Sequence, residues 1–212
     1  MSTATDTHPS ADRKLTLADI SDLREYERER ESFRAHIIEL KKKRRVSVGP
    51  HVTLLFENRD TIRFQIQEMA RVEKIFTDEG IEGELRVYNP LIPEPGMLSA
   101  TLFVELTSDE DLREWLPRLV GVERSVVLRF GDHEVRCAPE AYHEAQLTRD
   151  EITASVHYVQ FHVGAAALAD LERVAAEGGS VSVVLDHPTY ELEHAEELAA
   201  STVAELLDDL RE

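Results

Sequence analysis

The sequence predicts an α+β protein: a mixed α/β sandwich on a mixed sheet with one hairpin, an N-terminal helix and two C-terminal β-α units. Three observations carry this. Apolar residues recur three and four apart in some segments, as on a helix face, and alternate singly in others, as in a strand. Gly131-Asp132 separates two strand-like runs, which fits a two-residue hairpin turn. In the last third a strand-like run is twice followed by a helical one, an order that favours a right-handed crossover between parallel strands. At 212 residues the chain suits one large domain or two small ones. No linker interrupts Leu15 to Leu210, so a single α/β domain is expected over 14–212, after a disordered polar tail over 1–13.

Each element follows in order. Leu23, Tyr26, Arg30, Phe33, Ile37 and Leu40 form a helical stripe interrupted once by Arg30. That helix runs into five consecutive bases, Lys41, Lys42, Lys43, Arg44 and Arg45, where cations meet the negative end of the helix dipole, and "SVGP" stops it. Val52, Leu54 and Phe56 alternate with His51, Thr53, Leu55 and Glu57, a half-buried strand with one mixed polar face. Asn58 or Asp60 caps a helix striped by Ile62, Ile66, Met69, Val72 and Phe76, with Gly80 as its stop. "YNPLIPEPG" holds three prolines and cannot be a central strand. Leu98–Leu106 reads as a strand, Asp109–Leu119 as a short helix, and Ser125–Phe130 with His133–Cys137 as the hairpin. Ser155–Val163 and Val181–Asp186 are strands either side of an alanine-rich helix, Ala165–Glu177, closed by Gly178-Gly179. Pro188 blocks extension of the second strand. The final helix uses Leu192, Ala195, Ala199, Val203, Leu206 and Leu210.

Composition narrows the function classes. A net charge of −18 argues against nucleic acid as the main partner. No apolar run approaches a membrane span, and the N-terminus lacks the apolar core of a secretory signal. The single Cys137 excludes an internal disulfide framework and any multi-cysteine metal site, which fits a cytoplasmic protein and an inert buried thiol. From Asp150 to Glu212 there are fourteen acids and two bases. That acidic surface is a natural counterpart for Lys41–Arg45, within the chain or across a dimer.

No P-loop, dinucleotide-binding glycine motif, nucleophile elbow or kinase signature is present. Glu140 with His143, and Glu191 with His194, have the Glu-x-x-His spacing of diiron carboxylate bundles, but the surrounding pattern is not a bundle. No metal and no cofactor are expected. His157 and His162 sit five apart on one strand and face opposite sides. His157 shares its face with Val159, Phe161 and Val163. Asp186 and His187 follow a strand end, a favoured ligand position in α/β sheets. Gln65, Glu68 and Arg71 drift along one side of their helix and offer an amide, an acid and a base.

The blocks "RRVSVGPHVTLLFEN", "QIQEMARVEKIF", "YNPLIP", "SVHYVQF" and "DHPTY", in this order and spacing, resemble a bacterial domain-of-unknown-function family of about this length. The resemblance implies a cytoplasmic protein often encoded near rubrerythrin-like proteins and an iron–sulfur oxidoreductase, hence a link to redox or peroxide defence. It implies no reaction and no catalytic residues. Two readings follow. One is an accessory or interaction protein, with Lys41, Lys42, Lys43, Arg44 and Arg45 as the partner surface, for a rubrerythrin-like or iron–sulfur protein or a second copy. The other is a small-ligand binder or enzyme with a polar cleft of His51, Glu68, Arg71, His157, Asp186 and His187.

Overall fold

Side-chain caps set where the helices begin. In the computed structural model, which describes residues 13–147, 151–190 and 193–211, Asp22 accepts from the amides of Arg24 and Glu25 and opens α1, Leu23–Arg44. Asn58 accepts from Thr61 N and opens α2, Arg59–Glu73. Thr77 opens α3, Asp78–Tyr88, and Ser108 opens α4, Asp109–Arg118. Each cap satisfies an amide that the first helical turn leaves without a partner. The remaining helices are α5, Ala141–Leu147, α6, Ala165–Ala176, and α7, Ala200–Arg211. Among the described residues no helix is long and apolar enough to cross a membrane.

Two sheets form the β-layers. The strands are β1, Arg45–Val48, β2, Val52–Glu57, β3, Met97–Val104, β4, Val126–Phe130, β5, His133–Arg136, β6, Ala138–Pro139, β7, Val156–His162, β8, Val181–Leu185, and β9, His194–Glu197. One sheet has the order β1-β2-β3-β7-β6 and the other β5-β4-β8-β9. Alternate residues of both sheets, among them Leu54, Phe56, Leu102, Leu128, Phe161 and Val183, join α6 and α7 in one core cluster. Each such side chain contributes about 1.5–3 kcal/mol by leaving water. The opposite face of the five-stranded sheet carries Thr53, Glu57, Ser99, Thr101 and Tyr158. A smaller cluster beside it uses Ile62 and Ile66 of α2, Leu85 of α3, Leu91 and Leu15.

The α+β class holds, and so do the hairpin, the non-strand proline loop and the helix ending at the bases. The parallel pairing does not. Every strand pair among the described residues is antiparallel. β7 joins the first sheet beside β3, and β8 joins the second beside β4. α6 therefore carries the chain from one sheet to the other instead of crossing back over a single sheet.

Three boundaries also differ. Arg45–Val48 is a strand that turns back through Gly49, at φ 69°, into β2, with Val48 opposite Val52. α2 ends at Lys74 rather than Gly80, which lies inside α3. The final helix begins at Ala200, because His194–Glu197 pairs with β8 as an edge strand. The tail expected over 1–13 lies outside the described residues except for Arg13, whose guanidinium donates to Pro93 O and Asp209 O.

Candidate functional site

The six residues of the expected cleft occupy several places. Glu68 sits between α1 and α2. It accepts from Arg30 at 2.8 and 2.9 Å and from the Tyr26 hydroxyl at 2.7 Å, with Arg71 Nε 3.6 Å away. The hydrogen bonds from Arg30 hold its carboxyl down to about 2, against the opposing effect of burial. Arg30, which breaks the apolar stripe of α1, is thus the partner of Glu68 across the helix pair.

His157 is buried in the core face of β7, 2.7 Å from Thr153 Oγ1 and 3.0 Å from Ala154 O, and burial holds its imidazole below the ordinary histidine range. Asp186 pairs with Arg136. His187 Nε2 lies 3.0 Å from Val120 O. His51 stacks on Trp115 with ring centroids 4.2 Å apart. Trp115 in turn stacks on Tyr190, which His187 meets edge-on. Of the six, Glu68 and Arg71 are neighbours on α2, and His51 and His187 stand at the two ends of this Trp115–Tyr190 ladder without touching; the six do not form one cleft.

The two Glu-x-x-His pairs also part company. Glu140 and His143 are both buried and lie 2.5 Å apart, with the His143 ring 4.5 Å from that of Tyr158. Glu191 lies outside the described residues, and His194 is on a strand.

A cavity of about 230 Å³ lies between the helical layer and the five-stranded sheet, with apolar walls from Leu55, Ile62, Leu91, Phe103 and Val156 and a set of polar groups among them. Its floor is the outward face of β2, β3 and β7, with Glu57, Thr101 and Tyr158; Thr101 stands opposite Tyr158 in the register. Its roof is Thr61 and Gln65 from the first turns of α2, Tyr88 from the end of α3 and Lys41 from the last turn of α1. Period-two alternation puts Leu55 and Glu57 on this face while Leu54 and Phe56 fill the core.

Glu57 is the residue that sets the electrostatics. It is only 7% exposed, and its hydrogen-bond donor is the Thr101 hydroxyl at 2.5 Å. No basic side chain among the described residues lies within ion-pair distance of it. Across the register, Ser99 Oγ is buried without a partner. Burial pushes the Tyr158 phenol up to about 12, with Tyr88 and the Glu57 charge adding to the effect. Burial raises Tyr88 as well. Both hydroxyls are therefore protonated donors near neutral pH. The cavity combines one carboxylate acceptor, two phenols and an amide on rigid elements, while the Thr61 hydroxyl is taken up by Asn58 and that of Thr101 by Glu57, a composition suited to orienting a small ligand with polar ends.

The polar face of this strand and Gln65 are legible in the sequence; the cavity is not. Tyr88 and Tyr158 carried no signal beyond their type, because only the packing of α2 and α3 over the sheet brings them together.

Fold and site define an α+β protein with a small cavity of mixed lining between its helical layer and an antiparallel sheet. Over residues 14–210 the chain matches the family described as "Protein of unknown function (DUF3501)", and it belongs to that family. It is also similar to a structure from Burkholderia pseudomallei K96243, titled as a novel protein of unknown function, at 38% identity and a TM-score of 0.83, covering 93% of this chain and 99% of that one. No curated protein matches it.

Proposed function

We propose that this chain is a small-ligand-binding protein and that its site is the cavity floored by Glu57, Thr101 and Tyr158. The observation that carries this is Glu57: a buried carboxylate, facing a cavity, with a single hydroxyl donor. Burying a charge without a countercharge is unfavourable by several kcal/mol. Such a group is retained where a ligand supplies the missing donor. An ammonium group meets that need. It can donate to Glu57 while the faces of Tyr88 and Tyr158 attract its charge. A volume near 230 Å³ is below the roughly 300–1,000 Å³ of drug-sized sites, so the ligand is small.

The accessory reading has less support. Lys42, Lys43, Arg44 and Arg45 each meet a carboxylate of this chain, which reduces what a partner would find. A thiol-based redox role draws nothing from Cys137, which is buried and pushed up to about 11 by that burial.

The test is ring-labelled tyrosine NMR during titration with alaninamide, an ammonium probe without a carboxylate. Tyr88 and Tyr158 signals move in the wild type, and Glu57→Gln weakens binding at least tenfold while Gln still accepts from Thr101. If neither ring responds to alaninamide, glycinamide or serinamide, the cavity is not a ligand site.

A further inference from the structure

The basic run and the cavity meet at one residue. Lys42 pairs with Glu39 at 2.6 Å, Lys43 with Glu205 at 3.0 Å, Arg44 with Asp209 at 2.6 Å, and Arg45 with Glu105. Lys41 differs. Among the described residues no carboxylate lies within ion-pair distance of it, and its charged contact is the face of Phe64, with Nζ 5.7 Å from the ring centroid. Lys41 lines the cavity that Glu57 also lines. One small cavity thus presents an ammonium without a carboxylate and a carboxylate without a cation. The two are too far apart to form an ion pair with each other.

We infer that the ligand of this cavity is a zwitterion, a small amino acid or a related aminocarboxylate, with its ammonium on Glu57 and its carboxylate on Lys41. This rests on the ligand-binding reading above and adds the second charge. A ligand with only an ammonium would leave the lysine unpaired beside a second cation. A ligand with only a carboxylate would set two anions against each other near Glu57. A zwitterion bridges both groups and replaces water at each with a charge-assisted hydrogen bond. Gln65 and the Tyr88 and Tyr158 hydroxyls remain to orient a short side chain, and the volume excludes a large one.

Titration calorimetry with alanine, alaninamide and propionate separates the possibilities in wild type, Lys41→Gln and Glu57→Gln. Alanine binds wild type about tenfold or more tightly than alaninamide, and propionate binds weakest. Lys41→Gln lowers alanine to the level of alaninamide and does not weaken alaninamide, while Lys41→Arg keeps most of the preference. Glu57→Gln weakens both ammonium ligands. Equal affinity of alanine and alaninamide for the wild type, or an unchanged preference in Lys41→Gln, overturns the zwitterion assignment and leaves the cavity as an ammonium site. Absence of binding by glycine, alanine, serine and their amides overturns the zwitterion assignment and the ligand-binding reading together. Matching far-UV circular dichroism and melting curves for the three variants exclude misfolding as the cause of a loss.

Discussion

Arg44 donates to both carboxylate oxygens of Asp209, at 2.6 and 2.9 Å, and so ties the end of α1 to α7 across 165 residues of sequence. Its side chain is 2% exposed. Burial acts to lower the Arg44 pKa, but the hydrogen bonds and charge of Asp209, with Glu205 adding, outweigh it and hold the group above the ordinary arginine value. Part of the basic run is therefore an internal clamp on the acidic C-terminal segment. A planar, two-pronged donor suits this place in a way that an ammonium does not.

Removing one member of such a pair leaves an uncompensated buried charge. Arg44→Ala is expected to destabilise the protein by about 3–5 kcal/mol, and Arg44→Lys by a smaller but clear amount. Lys42→Gln and Arg45→Gln act on exposed pairs and stay within about 0–1 kcal/mol. Urea unfolding midpoints check this. A loss below about 1 kcal/mol for Arg44→Ala would show that the clamp contributes little.

Glu68 sets part of the acid limit. Its carboxyl is held down to about 2, chiefly by the hydrogen bonds from Arg30, against an ordinary value of 4.5. A carboxyl with a depressed folded pKa stabilises the fold fully above its unfolded value, and the contribution is lost as pH falls from about 4.5 towards 2. Glu68→Gln should lower stability at pH 7 and flatten the decline between pH 5 and 2. Thermal melts across that range measure it. A variant as steep as the wild type in acid would assign the decline to other carboxyls.

Local signals made much of this fold legible. The 3.6-residue stripe of α1, the alternation of β2 and the Gly-Asp hairpin each depend on neighbours in sequence. What stayed hidden depends on distant partners. "RVSV" reads as a helix tail because its strand partner, β2, lies across a turn that needs Gly49 at positive φ. β7 and β8 look like one crossover unit because the sequence does not say which sheet each joins. α3 was masked by Gly80 and Gly83, although Thr77 followed by Asp78 and Glu79 is a capping signal. The same division runs through the site. Glu57 was visible as one polar residue on a strand face, but its burial is a consequence of α2 packing over that face. In the sequence the basic run looks like a single surface, whereas packing gives Arg44, Lys43 and Lys41 three different surroundings.

Cys137 should resist modification. Its thiol donates to Glu123 O at 3.2 Å and is buried, and burial pushes it up to about 11. The thiolate is the reactive form, so little of it exists at pH 7. Iodoacetamide labelling of the folded protein is expected to follow the rate of opening and to become rapid only in denaturant. Labelling of the native protein at the rate of a free thiol would place the sulfur in contact with solvent.

Lys74 offers a test of backbone conformation free of side-chain contacts. It ends α2 in the left-handed region at φ 57° and ψ 47°, with its amide donating to Ala70 O. Among the described residues it is the one non-glycine at positive φ. A residue with a Cβ is disfavoured there by roughly 1–2 kcal/mol, whereas glycine adopts the conformation freely and is the common residue at this position of a helix end. Glycine also makes the unfolded chain more flexible, which returns part of the gain. The exposed Lys74 side chain forms no ion pair among the described residues, so little is lost with it. Lys74→Gly is expected to stabilise the protein by up to about 1 kcal/mol, or roughly 2–4 °C in Tm for a chain of this size. The reverse change gives the control. Gly49 has φ 69°, and a Cβ there would lie 3.2 Å from Leu185 Cδ2 and 3.3 Å from His194. Gly49→Ala therefore adds crowding to backbone strain and should lower Tm. If Lys74→Gly lowers Tm as well, the lysine side chain contributes more than its backbone conformation costs.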